Sequence, residues 1–449
     1  MTDREVVILG GGLTGLTAAY ALEHAGGVDW MLFEKEDRAG GHARSMKIDG
    51  YVFDYGPHIL FTSDLEMERL IRGLLGENLR AQERQAFIYH AAYDLYTRFP
   101  FQAHLCGLPT EVVTDCLGGL VDALETRARN EFRPRTYEQW MRGTFGDAIA
   151  ERLLIPYARK LWTVEPETMD FSWIDHRVPT PDVRRIVAGA LTDDIAQIGA
   201  TAHFWYPWHD GIEALPRALA ERLPSLELGV EIARIDPRTR VVESAPGDEV
   251  SYAKLVFTLP LSTVSSLIPE VPQNVARACE RLKYQGILNV NLGIARPDVS
   301  ELHWVYFYEE AFPFHRLSFP GNFSPNNVPE GRSSISTEVA FRADSPPGED
   351  AVSATLTGLQ EAGILQPDDD IELIHAERIV PAYVIYDLAH EESVATIVSW
   401  LRSVGIHAAG RFGEWQYLNM DQAMKSGWRA AETVLQQRVN VPSEIGSGT

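Results

Sequence analysis

The stretch from Glu5 to Glu34 constrains the fold of this chain more than any other. Glu5-Val6-Val7-Ile8-Leu9 is a short apolar run of the kind buried inside a parallel sheet. Gly10-Gly11-Gly12-Leu13-Thr14-Gly15 follows and opens an Ala/Leu-rich helical stretch through Leu22. Glycines at such a turn let backbone N–H groups close on a pyrophosphate at the helix N-terminus. A second apolar run, Trp30-Met31-Leu32-Phe33, ends in Glu34, where an acid accepts hydrogen bonds from an adenosine ribose. The unit predicts a Rossmann-type domain that holds a dinucleotide through Gly10, Gly12, Leu13, Thr14, Gly15, Glu34 and Lys35.

The next residues distinguish FAD from NAD. Gly40-Gly41-His42-Ala43-Arg44 comes soon after the acid and resembles the extended fingerprint of flavin amine oxidases and their relatives. A second glycine pair gives the backbone a further close approach along the cofactor. Gly41, His42 and Arg44 therefore join the cofactor set. Leu226–Ile232 reads as a strand whose Val230 is placed as in FAD enzymes, where a strand edge pairs with adenine. Ile406-His407-Ala408-Ala409-Gly410-Arg411 reads as a strand ending in glycine, and Asn419-Met420-Asp421-Gln422 opens a helix through Leu435. Flavin enzymes of this superfamily seat the flavin end on such a unit, which adds Gly410, Arg411, Asn419, Met420 and Asp421.

A length of 449 residues suits two or three interleaved domains. The expected fold is α/β: a Rossmann-type FAD-binding domain from residues 1–62, 200–270 and 400–438, with two insertions. Apolar residues at three- and four-residue spacing make 63–199 a largely helical insertion. Lys254–Pro260 reads as a buried strand. Alternating runs at Gly286–Ile294 and Ser333–Val339 make 271–399 a half-exposed antiparallel-sheet substrate domain. Residues 439–449 are expected to be a disordered tail. With 40 Lys and Arg against 63 Asp and Glu, the net charge of −23 argues against nucleic acid or an anionic membrane as partner. Cys106, Cys116 and Cys279 show no metal spacing and fit free thiols in a reducing, cytoplasmic setting; no metal site is expected. The N-terminus does not read as a signal peptide, and no apolar run reaches membrane-helix length.

Five segments together resemble the UDP-galactopyranose mutases, in particular their eukaryotic-type branch, within the superfamily of amine and protoporphyrinogen oxidases. Asp54-Tyr55-Gly56-Pro57-His58-Ile59-Leu60-Phe61 resembles the histidine loop beside the flavin, and Arg98-Phe99-Pro100-Phe101-Gln102 the segment that meets the nucleotide. Pro156–Trp162 with Trp173–Arg177 is similar to the segment bearing a first catalytic arginine. Trp304-Val305-Tyr306-Phe307 with Pro313–Arg316 and Asn322–Pro325 is similar to the segment bearing a second. Gly410–Tyr417 resembles the family's C-terminal motif.

The resemblance implies a flavin-dependent mutase that interconverts pyranose and furanose rings of a nucleotide-diphosphate sugar without net oxidation. Its FAD is active when reduced, with NADH or NADPH as donor, and flavin N5 attacks the anomeric carbon. It implies catalytic roles for His58, Arg177 and Arg316, the arginines clamping diphosphate oxygens with their planar forks. Phe99, Gln102, Trp304, Tyr306, Asn322, Tyr383 and Tyr417 are the implied substrate contacts. Phe99 stands where the family has tyrosine, His315 precedes Arg316 in place of an aromatic hydroxyl, and the usual Gly-Tyr-Pro pattern is missing around Tyr383. The sugar and the nucleotide stay open. So do a redox flavoenzyme of the amine-oxidase or protoporphyrinogen-oxidase type and a non-catalytic flavin-binding partner.

Overall fold

The computed structural model describes residues 2–174, 178, 180, 182–193 and 202–439. In chain order the strands are β1 (Thr2–Leu9), β2 (Trp30–Phe33), β3 (Ser45–Ile48), β4 (Tyr51–Asp54), β5 (Leu79–Glu83), β6 (Ala86–His90), β7 (Leu95–Arg98) and β8 (His203–Pro207). They continue with β9 (Leu226–Glu227), β10 (Ile232–Asp236), β11 (Val241–Ser244), β12 (Glu249–Phe257), β13 (Lys283–Ile294) and β14 (Trp304–Phe307). The last four are β15 (Arg316–Ser318), β16 (Ser333–Arg342), β17 (Ile371–Ile385) and β18 (Ile406–Ala408).

The first sheet runs β10-β11-β12-β1-β2-β9, with β18 also on β12. Its centre is parallel: Leu9 lies opposite Phe33 on one side and Phe257 on the other. Val6, Val7, Ile8 and Leu9 have no solvent exposure, because helices pack on both faces of the sheet. This is a Rossmann-type sheet built from both ends and the middle of the chain. The run expected as one strand over Leu226–Ile232 divides into β9 and β10. Gly229 turns there with φ of +72°, and the Val230 N–H leaves the ladder to bond Glu34 O at 2.8 Å.

The second sheet runs β17-β13-β16-β15-β14-β6-β7. It is not half-exposed as the alternating pattern predicts, since β13 and β16 are buried along most of their length. Leu288, Val290, Leu292 and Ile294 pack into a core with Phe307, Phe314 and Leu359. The intervening Asn289 and Asn291 are fully buried as well, and Asn289 Oδ1 accepts from Gly56 N at 3.4 Å. The alternation thus records an apolar core on one face and a polar seam under the Tyr55–Leu60 loop on the other.

The described residues of 63–199 hold far more helix than strand, with three short strands among them. They carry helices Leu65–Leu75, Thr110–Ala128, Tyr137–Phe145 and Ile155–Trp162, the first capped by the Asp64 carboxylate on the N–H groups of Glu66 and Met67. They also supply β5, β6 and β7, and β6 lies parallel to β14, so the segment completes the second sheet. Residues 440–449 of the expected tail lie outside the described residues, and Val439 ends the helix Met420–Val439.

Candidate active site

The glycine turn after β1 is fixed by contacts that no side chain tolerates. A Cβ on Gly15 would stand 2.0 Å from Gly10 O, so the helix Leu13–Ala25 starts directly on the strand end. Gly40 N donates to Gly11 O at 2.8 Å, which draws the second glycine pair onto the first. A Cβ on Gly41 would come within 3.1 Å of the Gly12 Cα. Glu34 is buried and accepts from Gly11 N at 2.6 Å and from Glu36 N at 3.0 Å. Val230 joins Phe33 and Glu227 in lining a cavity of about 230 Å³. Lys35 points outward, 64% exposed and 3.7 Å from Glu36.

The C-terminal unit closes on the same turn. Gly410 has φ of +85°, and a Cβ there would strike Thr14 Oγ1 at 2.3 Å. Gly410 N donates to Ser426 Oγ at 2.8 Å, tying β18 to the helix Met420–Val439. Met420 packs on the parallel-sheet core, and Asn419 N donates to Gln422 Oε1 at 3.0 Å. Asp421 Oδ1 is buried with no hydrogen-bond partner among the described residues. Burial raises the Asp421 carboxyl above its usual range. Arg411 donates to Leu418 O at 2.9 Å and to Ala382 O at 3.0 Å, with its Nε buried and unpartnered among the described residues. Its guanidinium lies 4.9 Å from the ring centroids of both Tyr383 and Tyr417.

His58 and Arg316 converge on this corner. His58 Nδ1 sits 2.9 Å from Gly56 O; a carbonyl only accepts, so Nδ1 carries the proton and Nε2 is bare in the neutral ring. Burial, and after it the charges of Arg411 and Arg316, hold this imidazole down at about 4. His42 is held lower still, at about 3, by burial and then by Arg411, His58 and Arg44. Arg44 lies 4.9 Å from the Tyr55 ring centroid. A chain of net charge −23 therefore concentrates three guanidinium groups around two neutral imidazoles. Arg316 pairs with the buried Glu338, its cross-strand neighbour.

An aromatic wall adjoins the arginine. Phe99 stacks on Tyr306 with centroids 4.6 Å apart and planes 27° apart, and Tyr157 meets Tyr306 edge-on at 5.6 Å. Burial, chiefly, raises the Tyr157 and Tyr383 hydroxyls. Trp304 is buried, its indole N–H without a partner among the described residues, in a cluster with Ile59, Phe99 and Tyr306. Gln102 is buried on the turn after Pro100. Asn322 commits its amide to Ser300 O and Leu302 O, which leaves only its carbonyl oxygen for a ligand. Arg177 lies outside the described residues. Glu338, Tyr157 and Asp54 are absent from the sequence-derived set. Glu338 is the one acid in the strand Ser333–Arg342, and an acid in that position is the available signal.

Comparison with known proteins follows this geometry. The family of flavin containing amine oxidoreductases matches residues 13–435. Among curated relatives, protoporphyrinogen oxidase 1 of Spinacia oleracea is 22% identical over 91% of this chain and 76% of its own. Coproporphyrinogen III oxidase of Bacillus subtilis (strain 168) is 20% identical over 91% and 93%. Among solved structures, a reduced UDP-galactopyranose mutase superposes with a TM-score of 0.90 at 27% identity, covering 97% of this chain and 96% of that one. A protoporphyrinogen oxidase-like structure from Exiguobacterium sp. 255-15 superposes with a TM-score of 0.75 at 19% identity over 97% and 100%.

The residues fit the FAD this family implies. The touching backbones of Gly12 and Gly41 leave no side chain where a pyrophosphate must approach. Arg411 Nε and Asp421 Oδ1, buried and without partners among the described residues, belong to the segment that leads into the helix Met420–Val439. No helix among the described residues is long and apolar enough to cross a membrane.

Proposed function

The chain belongs to the flavin containing amine oxidoreductase family, and on that premise we propose that it is a mutase for nucleotide-diphosphate sugars. It interconverts pyranose and furanose forms with no net redox change. When bound and reduced by NADH or NADPH, FAD would supply the nucleophile for the anomeric carbon. The observation that carries this reading is Arg316, a guanidinium inside the cleft between Glu338 and the tyrosines 157, 306 and 383. The likeness to the reduced mutase over nearly the whole chain supports it.

Arg316 binds the diphosphate oxygens, and Arg177 is its partner in the clamp. Each charge-assisted contact contributes about 1.5–3 kcal/mol. Glu338 balances the arginine before the anion arrives and fixes the plane of its fork. Tyr306, Tyr383 and Tyr417 donate hydroxyls to the same oxygens; with ionisation pushed up at Tyr383, its proton stays in place. Phe99, Trp304 and Gln102 carry the base and ribose. His58 is neutral at physiological pH, so its bare Nε2 accepts a proton or hydrogen bond beside the reacting ring. Gly10, Gly12, Glu34, Gly41, Arg44 and Gly410 hold the cofactor.

The porphyrinogen oxidases among the relatives support a second reading, a true redox flavoenzyme. One experiment separates the two. The protein is reduced with dithionite under argon and incubated with a panel of UDP-, GDP- and dTDP-sugars, and ring form is followed by proton NMR. Interconversion without flavin reoxidation establishes the mutase. Turnover of a porphyrinogen that requires oxygen, with no sugar interconverted, establishes the oxidase.

A further inference from the structure

Asp54 ends β4, four residues before His58, and the residue is 7% exposed. Oδ1 accepts from Ser45 Oγ at 2.7 Å and from Ile212 N at 3.0 Å. Oδ2 accepts from Tyr206 OH at 2.8 Å, and the His58 backbone N–H adds to the stabilisation of the carboxylate. Among the described residues no cation pairs with it, so a buried acid is held by neutral donors alone. Such an arrangement is expensive to bury and demands complete satisfaction. Gly211, at φ of +63°, makes it possible, because a Cβ there would lie 2.8 Å from Oδ1.

The donors come from separate parts of the cleft. Ser45 follows the Gly40–Arg44 stretch, and its backbone is held in turn by Glu213 Oε2 and Arg38 Nη1. Tyr206 and Ile212 belong to β8 and the turn after it, and Leu60 exchanges backbone hydrogen bonds with Trp205 of the same strand. Asp54 is the atom group where the Gly40–Ser45 loop, the histidine loop and β8 meet.

We propose that Asp54 is a positioning residue: it locks the histidine loop to the Gly40–Ser45 loop and so places the His58 ring over the cofactor. The role of His58 rests on the mutase reading, whereas the lock between the two loops does not. Asp54→Asn keeps the shape and the two bonds to Oδ1 but replaces Oδ2, the acceptor of the Tyr206 hydroxyl proton, with an N–H₂ that accepts nothing. The groups facing Asp54 are Ser45, Ile212 N, Tyr206 and His58 N, with Glu213 and Arg38 behind Ser45.

The test uses the FAD-loaded full chain, with hydrogen exchange, UDP titration of flavin fluorescence, and steady-state kinetics. In Asp54→Asn, exchange in residues 42–45 and 55–62 rises together by about tenfold or more, while β1 stays protected. The UDP affinity stays within about threefold and kcat falls by about tenfold or more. In Ser45→Ala, which cuts one arm, exchange rises in 42–45 alone. Unchanged exchange in either loop of Asp54→Asn, or a uniform rise that includes β1, overturns the lock. Ser45→Ala leaving 42–45 as protected as before overturns it too, and serves if Asp54→Asn does not fold. A wild-type chain that interconverts no sugar, with both loops responding as stated, overturns the mutase reading and leaves the lock standing.

Discussion

Arg316 and Glu338 stand directly opposite each other on β15 and β16, and their side chains form an ion pair. The Glu338 side chain is 4% exposed and that of Arg316 21%. Removing either charge alone leaves the other without its counterion. Glu338→Ala therefore destabilises the fold by about 3 kcal/mol, measured as the urea midpoint. Arg316→Ala keeps its yellow colour and loses about two orders of magnitude in kcat/KM for the sugar substrate. Wild-type turnover by Arg316→Ala removes the arginine from the reaction.

The glycines of the first turn separate folding from cofactor binding. Gly15→Ala drives a methyl onto Gly10 O and misfolds the strand–helix junction. Gly12 has an ordinary φ of −73°, and a Cβ there meets nothing nearer than the Gly41 Cα at 3.9 Å. Gly12→Val consequently folds, with apoprotein stability within about 1 kcal/mol of wild type, and purifies colourless. A Gly12→Val variant carrying stoichiometric flavin contradicts the placement of the pyrophosphate.

Two buried groups of one loop titrate with opposite consequences. Burial drops the His58 ring to about 4, below the unfolded value of about 6.5. Its contribution is fully present above pH 6.5 and is lost as pH falls through 4. Burial raises the Asp54 carboxyl to about 6, above the unfolded value of about 3.9. Its contribution is present below pH 4 and is lost as pH rises through 6, a penalty on the order of 3 kcal/mol at neutral pH. Compared across this range by chemical denaturation, His58→Asn loses less stability than wild type between pH 6.5 and 4. Asp54→Asn gains on wild type as pH rises from 4 to 7. Parallel curves for wild type and variant refute the corresponding assignment.

Among the described residues, the Phe99–Tyr306 stack is the face-to-face pair formed by two of the expected substrate contacts. Phe99→Ala removes a base-sized surface and weakens UDP binding by about tenfold, equal to a stacking contribution of about 1.4 kcal/mol. Isothermal titration reads it directly. Unchanged affinity places the base elsewhere.

The glycine turn and Glu34 are legible in the sequence because local backbone geometry dictates them: only glycine survives 2.0 Å from Gly10 O. The double-sided burial of β13 is not, because a strand covered by a core on one face and by polar neighbours on the other has the same alternation as one facing water. The turn at Gly229 hides in an apolar run that reads as one strand. Asp54 and Glu338 escape notice for a related reason. A single acid in a strand reads as solvent-facing until distant partners, here Tyr206 and Arg316, are known to reach it. Asn322 sits in a segment whose likeness is plain, yet its amide is already taken by Ser300 and Leu302.

β18 pairs with β12 beside β1, and the helix Met420–Val439 lies against the helix Leu13–Ala25, where a Cβ on Gly427 would strike Thr14 O at 2.1 Å. A nascent chain still threaded through the ribosomal tunnel lacks that second wall. A premature stop codon upstream of the helix Met420–Val439 removes that wall and is expected to yield a colourless polypeptide even though every glycine of the first turn has been translated.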